Sequence, residues 1–580
     1  MKKDQITSLY QSQYQLLDSC ETKLNRRHRN SLWVKNLYIN GFHIRVIVAF
    51  FDWDLIELPR VYLFEKDLNK IKEKYSHFKF PLPHFQLESN SFLNDEKLYN
   101  FCYLLHDRLE INRSNLSHVL AVVEIQINSI LNLYFDLKSL KNEFKKEFVP
   151  MWMIFSRKFE NTNRMRNITL NNQSSEGLSF TSISYLNELK EIKSAKLNFI
   201  FLKIHEIKPN LLSDFINEKG YSTLGGVLSF VDFISHEYLN KLKNYLRQIR
   251  VDKDIYISLM LDGHIFSFFV KWKKSYVKAL SGNLIIMSKI LTSPAFPVYM
   301  LNYRVEDLIY RNLSKIKTKN LKDLNILQVG AGAIGGYIGD GLSKIGAGLG
   351  VGIFDICDND ELKIENIGRH VLGKEFIGMN KALALVDFIK LNLGDNSKLN
   401  INYLKNSINE VNNLNTYDVI IDATGQIEVS EYLNERIFTL PIATRPTLLH
   451  LWIFGNGECV QALLNEPTLY SGKGGCISCL HQSGNEDYKH LFDPLQNKDY
   501  KKVLGLGPCA AYTPYSVSSS LNTAGLAIDI VLEWVNSRSL EYNYFTRYSI
   551  GYNGAKISDM FLAAQASCPC CKQKLKINLE

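Results

Sequence analysis

Three groups of residues have types and spacings suited to chemistry. The first is Gly330-Ala-Gly332-Ala-Ile-Gly335, directly after the short apolar run Ile326 to Val329 and directly before a helical pattern. Glycines in this pattern let the chain turn tightly from strand into helix and bring backbone N–H groups up to a phosphate at the helix N-terminus. The second is a train of polar residues downstream. Asp355 and Asp358 follow a second strand-like run, Leu349 to Phe354, and Asn366, Arg369 and Lys381 come after them. A dinucleotide site needs one acid about twenty residues past the glycines for the ribose hydroxyls, and Asp355 or Asp358 would serve. Such a site has no use for Asn366, Arg369 and Lys381 at these spacings. A reaction that builds negative charge on the phosphates of ATP does, because fixed cationic donors in a water-poor site stabilise that charge.

The third group is thiols. Cys476-Ile-Ser-Cys479 and Cys568-Pro-Cys-Cys571 are two C-x-x-C pairs separated by 88 residues. Tetrahedral Zn²⁺ takes four thiolates, and each C-x-x-C turn presents two. The expected ligands are Cys476, Cys479, Cys568 and Cys571, with Cys570 to spare; a redox C-x-x-C is the alternative. Cys509 has no ligand partner and lies in the Gly/Pro segment Leu506-Gly-Pro-Cys509, ahead of a helical pattern. Cys357 and Cys459 sit in strand-like runs and are expected to be buried and inert. Cys102 reads in two ways, as a small buried residue or as a nucleophile.

The whole chain narrows these options. Its 580 residues suffice for three or four domains, and its 46% apolar content is ordinary for a soluble protein. A net charge of +9 spread over that length predicts a solvated surface, not a specific nucleic-acid site. The first residues lack the apolar core of a secretion signal, and no run of about 18 apolar residues predicts a membrane span. Ten cysteines gathered mostly toward the C-terminal end suit metal or thiol chemistry better than a disulfide framework. The expectation is a cytoplasmic multidomain protein.

The elements that must position these residues fall into three stretches. Over residues 1–150, strand patterns at 37–39, 42–51 and 60–64 precede a proline-rich crossing, Phe80-Pro-Leu-Pro-His84, then Cys102, then a helix with Leu116, Val119, Leu120, Val123, Ile127 and Ile130 at three-to-four spacing. This order resembles the ubiquitin-conjugating fold, an α+β domain. The resemblance implies that Cys102 carries a thioester, a task for a thiolate because it is both a good nucleophile and a good leaving group. The family's His-Pro-Asn is here a reversed Pro83-His84 without the Asn, and Cys102 follows His84 by 18 residues. His84 and His106 are candidates to polarise the thiol. Residues 151–300 read as a connector domain.

Residues 301–580 carry Gly-x-Gly-x-x-Gly, Asp-x-Asp, Asn-x-x-Arg and Lys in sequence, which strongly resembles the Rossmann-like, ThiF-type adenylation domain of the ubiquitin-activating superfamily. The predicted class is therefore α/β, preceded by the conjugating-like and connector domains. The resemblance implies that Asp358 holds the ribose hydroxyls of ATP, that Asn366, Arg369 and Lys381 contact its phosphates, and that Arg311 reaches the phosphates of a partner subunit in a homodimer. It also implies that Cys509 is the thiol that takes the acyl group from the acyl-adenylate. Gly425 stands where the family often has an aspartate that helps to bind Mg²⁺; either Asp422 takes over, or ATP phosphates and water hold the metal.

Conjugating-like, connector and activating domains on one chain form the layout of the bacterial fused enzymes of CBASS anti-phage operons. That likeness implies ATP-dependent activation of a protein C-terminal carboxylate, transfer through Cys509 and Cys102, and delivery to a lysine, with the operon's cGAS-like nucleotidyltransferase as the activated protein. The other readings are a sulfur-carrier adenylyltransferase without the relay and a non-catalytic scaffold.

Overall fold

β-Branched and aromatic residues dominate the first strands, and a tight turn fixes their register. After α1 (Lys3–Gln11) and β1 (Gln15–Leu16), β2 (Leu32–Ile39) and β3 (Phe42–Ala49) pair antiparallel, joined at Asn40-Gly41 with φ of 48° and 87°. This is the left-handed turn that matches strand twist. With β4 (Arg60–Phe64), α2 (Glu65–Lys74), β5 (Asn90–Leu93) and β6 (Glu96–Phe101), they make a six-stranded sheet in the order β1-β2-β3-β4-β6-β5. Ile44, Val46 and Val48 point into the main core, where α3 (Leu116–Leu133) adds Val119, Leu120, Val123, Ile127 and Ile130. The side chain of Asn115 caps α3 by accepting the His118 N–H. Among the described residues, α3 alone has the length and apolarity of a membrane span, but this apolar face is spent on the core.

The computed structural model describes residues 3–17, 32–157, 168–170, 177–187, 191–204, 223–280, 292–302 and 321–571, with interruptions of seven residues or fewer inside those spans. It divides into two units, Met1–Arg304 and Val305–Glu580. The expected division at 150/151 falls within α4 (Leu137–Arg157), which continues through Pro150. Trp152 on α4 packs edge-on against Phe266 and Phe268, so one core runs through the first unit. The connector stretch holds β7 (Ile168–Leu170), β8 (Gly177–Asn187), β9 (Glu191–Lys203), α5 (Leu224–Ile234), α6 (His236–Gln248), β10 (Lys253–Leu261), β11 (His264–Trp272) and β12 (Ala295–Asn302). Its strands close into a barrel in the order β10-β11-β12-β7-β8-β9.

In the second unit, β13 (Ile326–Val329), α7 (Ala333–Lys344), β14 (Phe354–Cys357), α8 (Lys381–Leu393), β15 (Ile401–Leu404), β16 (Val419–Asp422), α9 (Ile427–Phe438), β17 (Thr447–Phe454), β18 (Cys459–Asn465), α10 (Val517–Ser537) and β19 (Tyr544–Tyr548) follow in turn. The sheet order is β15-β14-β13-β16-β17-β18-β19, parallel through β17 and antiparallel beyond. All four residues of β13 and of β16 are buried, as a central parallel strand requires. The order reverses between β14 and β16 about β13, the switch point where α/β sheets bind ligands.

Candidate nucleotide cleft and cysteine sites

The glycine loop is held from beneath by a residue that sequence reading passed over. Gln328, fully buried on β13, donates from Nε2 to the carbonyls of Gly330 (2.9 Å) and Gly335 (2.8 Å). Gly330 has φ of 93°, and a Cβ on Gly335 would stand 2.0 Å from the Gly330 carbonyl oxygen. Glycine is required at both positions, one for backbone conformation and one for close approach. From the other side, His370 contacts the Ala331 carbonyl through Nε2 (2.7 Å) while Nδ1 accepts the Leu372 N–H (3.1 Å). That pattern makes Nε2 the donor of a neutral ring, and burial keeps the His370 pKa below its ordinary value.

Past the loop lies a cleft of about 300 Å³. Gly330, Gly332, Asp358, Asp360, Lys381 and Tyr515 are among its lining residues. Asp358 accepts from Ala331 N–H (2.7 Å) and Asp360 N–H (2.8 Å). Burial raises its pKa above the ordinary carboxylate value, although both amides and Lys381 pull the other way. Lys381 opens α8 and pairs with Asp360 at 2.9 Å. Asn380 caps the same helix by accepting the Leu383 N–H, and it donates to the carbonyls of Asp358 and Asp360. Acid loop and lysine are thus one pinned piece, and the cap was readable as an Asn at a helix start. Arg369 stands over the Tyr515 ring, 5.0 Å from its centroid. Tyr515 had no signal in the sequence.

Arg369 itself does not line the cleft, and two further candidates also stand outside it. The Asn366 amide accepts the Lys363 N–H at 3.0 Å and caps a short turn, outside the residues lining the cleft. Asp422 is fully buried at the end of β16. Its carboxylate accepts from Thr424 through Oγ1 (2.6 Å) and N–H (3.2 Å) and from the Ser430 hydroxyl, and it pairs with His450 Nδ1 (2.9 Å). With these partners the carboxylate ties β16, α9 and β17 together, and it does not line the cleft. Gly425 has φ of 63°, a conformation cheap for glycine. Arg311 and Cys509 lie outside the described residues.

Burial acts to raise the Asp422 pKa, but the bond and charge of His450, with the Ser430 and Thr424 hydroxyls, hold it below its ordinary value. Its contribution to stability is therefore present above about pH 3.9 and lost as pH falls through the folded value. Asp422→Ala is expected to cost about 2–4 kcal/mol, because it leaves a buried histidine and two hydroxyls without their acceptor. Denaturant unfolding at neutral pH checks this; a loss below about 0.5 kcal/mol, the size of a plain surface change, would refute the tie.

Cys476, Cys479, Cys568 and Cys571 are all buried, with their sulfurs within 4.8 Å of one another. The Sγ–Sγ distances are 3.9 Å for Cys476–Cys479, 3.5 Å for Cys476–Cys568 and 3.6 Å for Cys479–Cys571. A tetrahedral ion with metal–sulfur bonds of about 2.3 Å needs sulfurs about 3.8 Å apart, so the four thiols fit Zn²⁺. Cys570 instead accepts from the Asn434 amide at 3.2 Å. Cys357 and Cys459 are buried, and burial pushes each thiol up to about 12. Among the described cysteines, Cys102 alone is exposed.

Residues 306–543 match the ThiF family. Over 554 residues, covering 89% of both chains, the sequence is 25% identical to the ATP-dependent ubiquitin transferase-like protein Cap2 of Escherichia coli (strain TW11681). It is 34% identical over 237 residues, 40% of each chain, to the Cap2 protein of Pseudomonas aeruginosa (strain BWHPSA011 / Pa011). It is also 31% identical over 167 residues, 27% of this chain and 40% of the other, to the adenylyltransferase and sulfurtransferase MOCS3 of Caenorhabditis briggsae. ATP use follows from the ThiF-type domain. With a likeness to Cap2 that runs through both units, the chain is an ATP-dependent, ubiquitin-activating and -conjugating-like enzyme, similar to the bacterial fused enzymes of CBASS operons.

Proposed function

We propose that this enzyme adenylates the C-terminal carboxylate of a partner protein, passes the acyl group from Cys509 to Cys102 and delivers it to a lysine amine. A carboxylate oxygen attacks the α-phosphorus of ATP, and the bond to the leaving pyrophosphate breaks. In the cleft, loop amides around Gly330 and Gly332 face the phosphates, Asp358 takes the ribose hydroxyls and Lys381 meets the charge that grows on the leaving group, with Arg369 reaching it from beside the lining Tyr515. The Cys509 thiolate then attacks the acyl-adenylate and expels AMP; the Cys102 thiolate displaces Cys509. The observation that carries this reading is an exposed thiol, Cys102, on a chain whose other unit has a cleft at the glycine loop.

Asp422 is already occupied by its three partners, so Mg²⁺ belongs with the ATP phosphates and water, where it neutralises phosphate charge. Zn²⁺ would be held by Cys476, Cys479, Cys568 and Cys571 and would act as a cross-link, with no part in the reaction. The enzyme is read as a cytoplasmic homodimer in which Arg311 serves the neighbouring subunit's ATP. Its substrate is read as the cGAS-like nucleotidyltransferase of the same operon.

The test uses the full-length enzyme, ATP and that nucleotidyltransferase. Cys102→Ala is expected to keep pyrophosphate exchange and a thiol-labile adduct on Cys509 while conjugates disappear; Cys509→Ala is expected to keep exchange and lose both adducts. Normal conjugation by Cys102→Ala would overturn the relay. The kinship with MOCS3 supports a second reading, activation for sulfur transfer, in which both cysteine variants would keep full activity.

A further inference from the structure

We propose that Cys102 is activated by a thiol–imidazole–carboxylate relay in which His84 takes the thiol proton and Glu143, backed by Glu147, orients the ring and stabilises the imidazolium. The proposal deepens the relay reading above and rests on Cys102 being its acceptor thiol.

The fold brings these residues together from three separate segments. Cys102 leaves the end of β6, and its N–H donates to the His84 carbonyl at 2.7 Å. One residue on, Phe85 bridges to Phe101. The crossing after Pro83 is thereby stitched alongside the strand that delivers the cysteine. His84 holds φ of 60°, a left-handed conformation that a residue with a side chain adopts at some cost and that concentrates at functional sites. Its ring and the Cys102 side chain are near enough for the thiol to raise the ring's pKa. Nε2 meets Glu143 Oε1 at 3.0 Å. Glu143 and Glu147 sit one helical turn apart on α4, both buried, and with His84 they bring their polar atoms within 4.8 Å of one another.

Two carboxylates buried beside a histidine are costly unless they serve a charge. The ring supplies it. Burial works to lower the His84 pKa, but the Cys102 thiol, the Glu143 hydrogen bond and the charges of Glu147 and Glu143 raise it to about 9. In turn the His84 bond holds Glu143 below the ordinary carboxylate value, helped by Lys146 at 3.5 Å. Two phenols also face the group. Tyr134 donates to the Pro83 carbonyl and Tyr103 to the Pro59 carbonyl, and burial raises the pKa of each, so both remain neutral donors.

The step balances simply. The Cys102 S–H proton moves to the ring, giving thiolate and imidazolium. The thiolate attacks the incoming thioester carbonyl, a new C–S bond forms, the old one breaks, and the donor leaves as its own thiolate. Glu143 and Glu147 touch neither the acyl group nor the sulfur in this step; they are positioning residues.

Iodoacetamide alkylation of Cys102, followed on its own peptide by mass spectrometry in the full-length protein from pH 5.5 to 9.5, tests the relay without conjugation or a substrate. The expected midpoint lies at least one unit below the ordinary thiol value of about 8.5. His84→Gln is expected to move it to about 8.5 or higher and to slow alkylation at pH 6.5 by about tenfold. Glu143→Gln, which keeps shape and removes charge, should give an intermediate profile, and circular dichroism separates either effect from misfolding. A wild-type midpoint near 8.5, or profiles unchanged in folded His84→Gln and Glu143→Gln, would overturn the relay. Failure of the Cys102 assignment is a distinct result: normal conjugation by Cys102→Ala, whatever the alkylation profile.

Discussion

Lys381→Ala is expected to lower carrier-dependent ATP–pyrophosphate exchange by about 10²–10³-fold while leaving the fold intact. The size follows from what a preorganised donor contributes to a charged transition state, about 3–4 kcal/mol when one is removed. Lys381 meets the conditions for such a donor. It is the first residue of α8, it lines the cleft, and its side chain is only 13% exposed. Its present partner, Asp360, is 70% exposed, so the pair itself is screened by water and adds little to stability. Activity and folding should therefore separate: the thermal midpoint stays within about 2 °C, the effect of a change under 1 kcal/mol in a unit of this size. Lys381→Arg keeps the charge with a different donor geometry and should recover part of the loss. Unchanged exchange in Lys381→Ala would reduce the residue to a surface ion pair.

Removing Cys479 should have the largest effect on stability. With Zn²⁺ held by Cys476, Cys479, Cys568 and Cys571, one metal per chain is expected by elemental analysis, and Cys479→Ala should lose it. The cluster joins the turn at Ile477–Leu480 to the chain beyond β19, over the buried Leu463, Leu480, Tyr544 and Leu562. Zinc-finger peptides gain about 10–16 kcal/mol from such a site because they have no other core. Here a parallel sheet persists without it, so the cost should be smaller, a fall on the order of 10 °C in the thermal midpoint. Cys570→Ala serves as the control: its thiol accepts from Asn434 and is spared by the geometry. Equal metal loss in the two variants would refute the ligand set.

The sequence by itself determined whatever depends on neighbours along the chain. Strand, Gly330-x-Gly332-x-x-Gly335 and helix were legible because backbone conformation at a turn is set by the residues in it, and the acid strand and Lys381 follow within some fifty positions. Each C-x-x-C was legible because a single turn presents both thiols. The apolar spacing of α3 was legible because one helix face repeats every three to four residues.

Tertiary structure decided which of these local features meet. His84 and Glu143 are 59 residues apart, and Asp422 and His450 are 28 apart. Spacing carries no sign of either pair. Asp422, three residues before the glycine at 425, looked available for a metal until β17 brought His450 against it. Tyr515 under Arg369 is a further case, an aromatic ring brought to its cation from 146 residues along the chain. The barrel also escaped reading, because closure depends on which strands pair and periodicity reports only that strands exist. Local chemistry is written in spacing; the partner of a buried charge is chosen by packing, since only the folded chain excludes the water that would otherwise satisfy it.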